Sequence, residues 1–175
     1  MNTLFIVNPI AGRNKSQKIW DSIKTYINFP FEYTFTKSPE DATEIATHAR
    51  MKGYTRVVAV GGDGTVNEVV NGIIGSNIEL GIIPTGTGND FVKTLEIPQM
   101  PIEALTIIEK GHNIATVDIG KHKRGYFVNV AGVGFDAEVV MNNIKIKKKI
   151  KNEFSYVISV VYTLFKFKRK KVEIN

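Results

Sequence analysis

Apolar residues recur along this chain with two rhythms, one of strands and one of helices. Thr3 to Asn8 (TLFIVN) is a short apolar run closed by Pro9, the pattern of a strand buried on both faces. Ile19, Trp20, Ile23, Tyr26 and Ile27 then return at helical spacing, with Lys18, Asp21 and Lys24 on the other side. Phe31, Tyr33 and Phe35 alternate with Glu32 and Thr34, which predicts a half-buried strand. Ser38-Pro39-Glu40-Asp41 predicts a helix start, with Ser38 as cap, Pro39 in the first turn and two acids at the positive end of the dipole. Ile45, Ala46 and Ala49 carry that helix to Gly53. Arg56 to Val60 predicts another buried strand, which runs straight into Gly61-Gly62-Asp63-Gly64-Thr65. Val66 to Ile74 then predicts a helix, Leu80 to Ile83 a strand, and Pro101 to Glu109 a helix.

Strands separated by helices imply parallel pairing, right-handed crossovers and an α/β domain with helices on both faces of the sheet. The pattern changes near Ala115. Val117 to Ile119 and Tyr126 to Ala131 read as two strands joined by the polar turn Gly120 to Gly125, a hairpin. The expected organisation is therefore an α/β domain over residues 1–114 and the start of a β-rich second domain over 115–175. Lys171 to Ile174 reads as a strand without an obvious partner, so the second domain is expected to be incomplete.

Composition narrows the class. The chain has 175 residues, 43% hydrophobic and 23% charged, ordinary for a globular protein. With no cysteine, a disulfide scaffold, a Cys-type zinc finger and a thiol nucleophile are all excluded. No basic start followed by a long apolar run marks a signal peptide. The longest apolar-rich stretch, Phe154 to Phe165, is twelve residues, short of the roughly 20 of a membrane span. A soluble, cytoplasmic protein is expected. Charge is uneven: residues 1–140 hold 13 Lys+Arg against 15 Asp+Glu, whereas residues 141–175 hold 10 against 2. The basic residues form two clusters, Lys145, Lys147, Lys148, Lys149 and Lys151, then Lys166, Lys168, Arg169, Lys170 and Lys171, on either side of an apolar segment. A core-packed helix with solvated ends and a salt-sensitive contact with an anionic membrane surface both fit this pattern.

The candidate chemistry lies in loops. Gly61-Gly62-Asp63-Gly64-Thr65 follows a buried strand and precedes a helix, where open α/β sheets bind ligands. Three glycines there let backbone N–H groups approach a polyanion, and the helix N-terminus adds a positive dipole end. Asp63 suits a bound divalent cation or the orientation of an attacking hydroxyl. The plainer reading is a glycine-rich turn with an exposed aspartate. Pro84-Thr85-Gly86-Thr87-Gly88-Asn89-Asp90 occupies the equivalent place after the next strand, and its plainer reading is a helix cap at Asn89 or Asp90. Asn8-Pro9 and Gly12 form a third loop at the same edge, with Arg13 and Lys15 in reach of phosphates. Gly132 to Ala137 matches GxGxxA, but only 38 residues follow, too few for a dinucleotide fold. His48, His112 and His122 lack metal-like spacing.

Asn8-Pro9-Ile10-Ala11-Gly12, Gly61 to Thr65 and Pro84 to Phe91 come in the order and spacing of the diacylglycerol kinase catalytic domain, a family that includes sphingosine kinases and bacterial lipid kinases. Glu68 and Asn71 fit its continuation, and Val117 to Gly120 and Asn129 to Ala137 resemble later segments, so the resemblance runs through essentially the whole chain. It implies an NAD-kinase-like nucleotide-binding domain, a β-rich second domain, and Mg²⁺-dependent transfer of the ATP γ-phosphoryl to a lipid hydroxyl. It further implies a nucleotide site formed by Asn8, Pro9, Gly12, Arg13, Gly61, Gly62, Asp63, Gly64, Thr65, Glu68, Gly86, Thr87 and Asn89. Asp63, Asp90 and Asp118 would belong to a Mg²⁺ network, with Asp63 also a candidate catalytic group. The resemblance implies a nucleotide and a diacylglycerol-like lipid as partners; the basic clusters suit an anionic inner membrane face, the absence of an aromatic-interleaved basic motif speaks against nucleic acid, and a second copy of the chain is a further expected partner. One part is missing. The family places a catalytic acidic motif like GDGE late in the second domain, yet after residue 138 this chain has only Glu153 and Glu173. The chain is therefore expected to be a fragment that binds nucleotide without phosphorylating lipid. An NAD kinase, sharing GGDG, and a non-catalytic nucleotide module are the alternatives.

Overall fold

The computed structural model describes residues 2–111, 113–147, 155–168 and 171. They fall into two compact units, Met1–Asn129 and Val130–Asn175.

In the first unit, four strands form a parallel sheet: β1 (Thr3–Val7), β2 (Phe31–Phe35), β3 (Arg56–Gly61) and β4 (Glu79–Pro84), in the order β2-β1-β3-β4. Residues Thr3 to Val7 and Arg56 to Gly61 are buried throughout, as their unbroken apolar runs predict for central strands. Edge strand β2 is half exposed, as its alternation predicts. Between β1 and β2 lie a distorted turn α1 (Ala11–Asn14), helix α2 (Ser16–Ile23) and a 3₁₀ turn. Helices α3 (Asp41–Met51), α4 (Asp63–Ile73), α5 (Asp90–Thr94) and α6 (Pro101–Lys110) follow.

The sheet separates two cores. Val57 and Ala59 face one side with Leu4, Ile6, the alanines of α3 and Val66, Val69 and Ile73 of α4. Val58 and Val60 face the other with Phe5, Val7, Trp20 of α2 and Leu105 and Ile108 of α6. Side chains alternating along one strand thus serve opposite layers. Helices α3 and α4 approach closely because a Cβ on Gly72 would stand 2.5 Å from that of Ala46.

Several expected boundaries shift. Helix α3 starts at Asp41, and its cap position is Glu40, with a left-handed φ of 71°, rather than Ser38. Its Ala42 N–H donates instead to Glu68 Oε2 at 3.3 Å. Helix α4 begins at Asp63, three residues before the predicted Val66, so the glycine motif supplies the helix's own first turn. The predicted hairpin exists in a different register: β5 (Gly120–His122) pairs antiparallel with β6 (Gly125–Phe127), and Val117 to Ile119 is not strand. The Phe127 ring lies where a Cβ of its cross-strand partner Gly120 would stand, so the glycine makes room for the aromatic face.

In the second unit, α7 (Phe135–Lys147) packs on α8 (Ser155–Lys166). Residues 172–174 of the predicted strand, His112, Lys148, Lys149, Lys151, Arg169, Lys170 and the side chain of Lys147 lie outside the described residues, and Lys171 is not in a strand. Among those described, no helix is long and apolar enough to cross a membrane.

Candidate functional site

The strand order places β1 and β3 side by side while the chain leaves them in opposite directions, towards β2 and towards β4. Loops that diverge in this way open a crevice at the carboxyl ends of the strands. All three predicted loops meet there. Asn8, just after β1, donates from Nδ2 to Thr65 Oγ1 at 2.9 Å, which ties the first loop to the first turn of α4. Its Oδ1 accepts the Ile10 N–H at 3.2 Å and fixes its own turn. Gly12 adopts φ 58°, and a Cβ there would stand 2.0 Å from the Thr85 carbonyl oxygen, so only glycine lets the first and third loops touch. Ser16 and Thr85, both buried, share a 2.8 Å hydrogen bond between their hydroxyls.

The second and third loops also stand back to back. A Cβ on Gly86 would lie 2.4 Å from the Gly62 Cα and 2.6 Å from Asn89 Oδ1. Most of the motif glycines therefore serve contacts between loops. Gly64 is different: nothing lies within 4 Å of its Cβ position. It sits in the first turn of α4, whose N–H groups have no acceptor within the helix, and it faces open space. Thr87 and Gly88 are exposed at the lip of the same crevice.

Asp63 is the first residue of α4, and its Oδ1 accepts the Phe91 N–H at 3.1 Å. It caps α5, a role the sequence suggested for Asn89 or Asp90. Asn89 occupies the cap position with φ 51° but makes no capping bond. Instead its Nδ2 donates to the Gly86 carbonyl at 3.1 Å and to Gln99 Oε1 at 3.4 Å. Its Oδ1 is buried without a protein partner, the kind of acceptor a ligand would satisfy. The other oxygen of Asp63 and the Asp90 carboxylate both flank Gly88, 3.0 and 3.5 Å from its Cβ position. Asp90 also meets Lys93 at 3.0 Å on the surface.

Two expected site residues stand apart from this cluster. Glu68 caps α3 and lies a full turn along α4 from the glycine loop. Asp118 is exposed in the segment before the hairpin, and among the described residues no three acidic or histidine side chains converge on one point. Pro9 and Arg13 lie in the first loop, Arg13 exposed with a left-handed φ of 60°.

A cavity of about 690 Å³ opens along α4. One wall holds Ser38 to Asp41 and Glu44, the floor Asn67, Glu68 and Asn71, and the other wall His122, Arg124, Gly125 and Tyr126 of the hairpin. Asp63, Asn67 and Asn71 are four residues apart, so one face of α4 runs from the glycine loop into this cavity. That spacing was visible in the sequence. The hairpin wall was not, because it rests on contacts across more than fifty residues.

The chain matches the family model for the diacylglycerol kinase catalytic domain over residues 2–122. It is 42% identical over 158 residues to a protein named diacylglycerol kinase from Staphylococcus aureus strain JH9, covering 87% of this chain and 50% of that protein. A homologue of the same name from the bovine strain RF122 / ET3-1 is 37% identical over the same span and coverage. The chain thus spans about half the length of the curated relatives it matches. A crystal structure of a diacylglycerol kinase from Bacillus anthracis str. Sterne superposes with a TM-score of 0.64 at 35% identity, covering 73% of this chain and 48% of that one.

Proposed function

The chain belongs to the diacylglycerol kinase catalytic-domain family, and on that premise we propose that it carries the nucleotide site of an ATP-dependent lipid kinase. The whole protein would pass the ATP γ-phosphoryl to the hydroxyl of a diacylglycerol-like lipid. One observation carries the reading. Three loops converge at the divergence of β1 and β3, joined by the Asn8–Thr65 bond, around an open helix N-terminus at Gly64. Phosphates would lie on that first turn of α4, where free N–H groups and the dipole favour negative charge. A ribose hydroxyl or a metal-bound water would donate to Asn89 Oδ1, which phosphate oxygens cannot do. The nucleoside would extend along the Asp63–Asn67–Asn71 face into the 690 Å³ cavity.

The residues present suit Mg²⁺ in one form. This ion is usually held by one or two carboxylates together with substrate phosphates, and Asp63 and Asp90, both beside the Gly88 Cβ position, would supply such a pair. Bound there, it would neutralise charge on the phosphoryl group. The chain's own part is positioning: the α4 first turn orients the phosphates, and Asp63, held by Phe91 N–H, keeps a fixed carboxylate beside them. Peripheral contact with an anionic membrane belongs to the same proposal, with exposed Lys145, Lys166, Lys168 and Lys171 as the described members of the basic clusters.

Calorimetric titration with ADP, with and without Mg²⁺, tests the site. Asp63→Asn keeps an oxygen for the Phe91 N–H and loses the charge. Mg²⁺ is expected to tighten ADP binding to the wild type about tenfold or more and to leave Asp63→Asn unaffected. No ADP binding by the wild type would overturn the nucleotide reading. Phosphorylation of NAD in place of lipid would replace the substrate class.

A further inference from the structure

Asn71 is tied to the hairpin at the position where a β-strand partner would pair. Its Oδ1 accepts the Tyr126 N–H at 2.9 Å, and its Nδ2 donates to the Tyr126 carbonyl at 3.0 Å. The same Nδ2 donates back to the Asn67 carbonyl at 2.8 Å, so the side chain is locked to α4 as well. A carboxamide that gives and takes with one residue's backbone reproduces both bonds of an antiparallel pair. Gly125 is shaped for this contact. It holds φ 143°, and a Cβ there would stand 2.6 Å from Asn71 Oδ1. Only a residue without a side chain lets the hairpin come so close.

The anchored segment is short. Strands β5 and β6 have three residues each, too little for an isolated hairpin to be stable. Within it, Arg124 N–H donates to His122 Nδ1 at 3.1 Å, and Lys121 Nζ lies 5.6 Å from the centroid of the Tyr126 ring. These contacts shape the tip. Just beyond β6, Val128 packs against the core that holds Val66, Val69 and Ile73 of α4, while the polar tie of the hairpin backbone to α4 runs through Asn71.

Resting on the nucleotide reading above, we infer that Asn71 is a positioning residue: it holds the hairpin as one wall of the cavity and thereby sets affinity for the nucleoside portion of the ligand. The phosphate portion is bound by the loops around Gly62 and Gly86, which Asn71 does not touch. The two halves of the ligand therefore respond differently when Asn71 is changed.

The experiment titrates the chain with ADP and, separately, with inorganic tripolyphosphate, and follows hydrogen exchange at the Tyr126 amide. Asn71→Ala is expected to weaken ADP about tenfold, leave tripolyphosphate unchanged and speed Tyr126 exchange. Asn71→Asp keeps the acceptor for Tyr126 N–H and loses the donor, so it should fall between Ala and wild type. Gly125→Ala disturbs the same contact from the hairpin side without altering α4, and the same split between the two ligands is expected. Equal losses for ADP and tripolyphosphate in both Asn71→Ala and Gly125→Ala would overturn the inference, because the effect would be on the fold. So would unchanged ADP affinity with a freed Tyr126 amide. Wild-type protein that binds neither ligand overturns the nucleotide reading and this inference together; wild type that binds both, with indifferent variants, overturns this inference alone.

Discussion

In the parallel-sheet unit most residues excluded from water are apolar: Phe5, Ile6, Val7, Trp20 and Val57 to Val60 are all 0% exposed, with Thr3 and Ser16 the fully buried polar ones. In the α7–α8 pair the fully buried residues of α8 are Ser155, Ser159 and Thr163, while Leu164 and Phe165 are 66% and 87% exposed. Both segments are rich in apolar residues, yet they sort them in opposite ways. The hydroxyls of α8 stand at positions i, i+4 and i+8 and face α7, where Asn142 Nδ2 donates to Thr163 Oγ1 at 2.9 Å. Ser159 and Thr163 also donate to the carbonyls four residues back, each at 2.6 Å. The first unit is held mainly by apolar burial; the pair combines polar contacts with the buried Val139 and the Phe135–Phe167 ring contact. Burial of a large side chain contributes several kcal/mol, whereas a net hydrogen bond contributes about 1 kcal/mol. The two units should therefore respond to mutation on different scales.

The largest effect is expected at Trp20, which packs at 5.0 Å between centroids on Phe5 and edge-on against Phe31. Trp20→Ala should cost about 3–5 kcal/mol in denaturant unfolding of the sheet unit. A loss under about 1 kcal/mol would mean that this layer does not hold the unit together. A smaller effect, visible with pH, is expected at Tyr54. Burial and then a hydrogen bond to Glu32 push its phenol from 10.0 up to about 12. The neutral form is favoured in the folded state, so its contribution is complete below pH 10 and is lost as pH rises towards 12. Tyr54→Phe should flatten the alkaline loss of stability in that window; an unchanged slope would remove Tyr54 as its source. The smallest effects belong to the helical pair. Ser159→Ala should cost about 1 kcal/mol, one buried hydrogen bond, and Leu164→Ala, at an exposed position, under about 0.5 kcal/mol. A core-like loss at Leu164, about 2–5 kcal/mol, would show that its face is covered in solution and would dissolve the contrast.

The same contrast marks what sequence reveals. Period and burial agree for β1, β3 and α6, so the strands of the parallel sheet and its longer helices follow from the pattern of apolar residues. The three loops were legible because strand ends in a parallel sheet share one edge. Legibility failed where long-range contacts override local preference. Ser38 looks like a cap, but Glu68 from α4 supplies the acceptor that α3 uses. Asn89 looks like a cap, but Asp63 fills that role across the crevice. The hairpin register turns on Phe127 covering Gly120 and on Asn71 gripping Tyr126, neither of which leaves a local mark. In the sequence Asn71 is only part of a motif; its partner lies 55 residues away.

The first loop has a consequence for the order in which the chain becomes a protein. Gly12, Arg13 and Asn14 hold φ values of 58°, 60° and 67°, a left-handed run that a free peptide would abandon. The run is kept by Thr85, whose carbonyl backs Gly12 and whose hydroxyl meets Ser16. A chain leaving the ribosome amino end first has the loop's sequence long before it has the loop's support. At roughly 5–20 residues per second, the wait for Thr85 is on the order of several seconds. During synthesis the earliest-made part of the crevice thus waits for a later loop before it takes its shape, and a nascent chain halted before β4 would present strand β1 with no binding loop behind it.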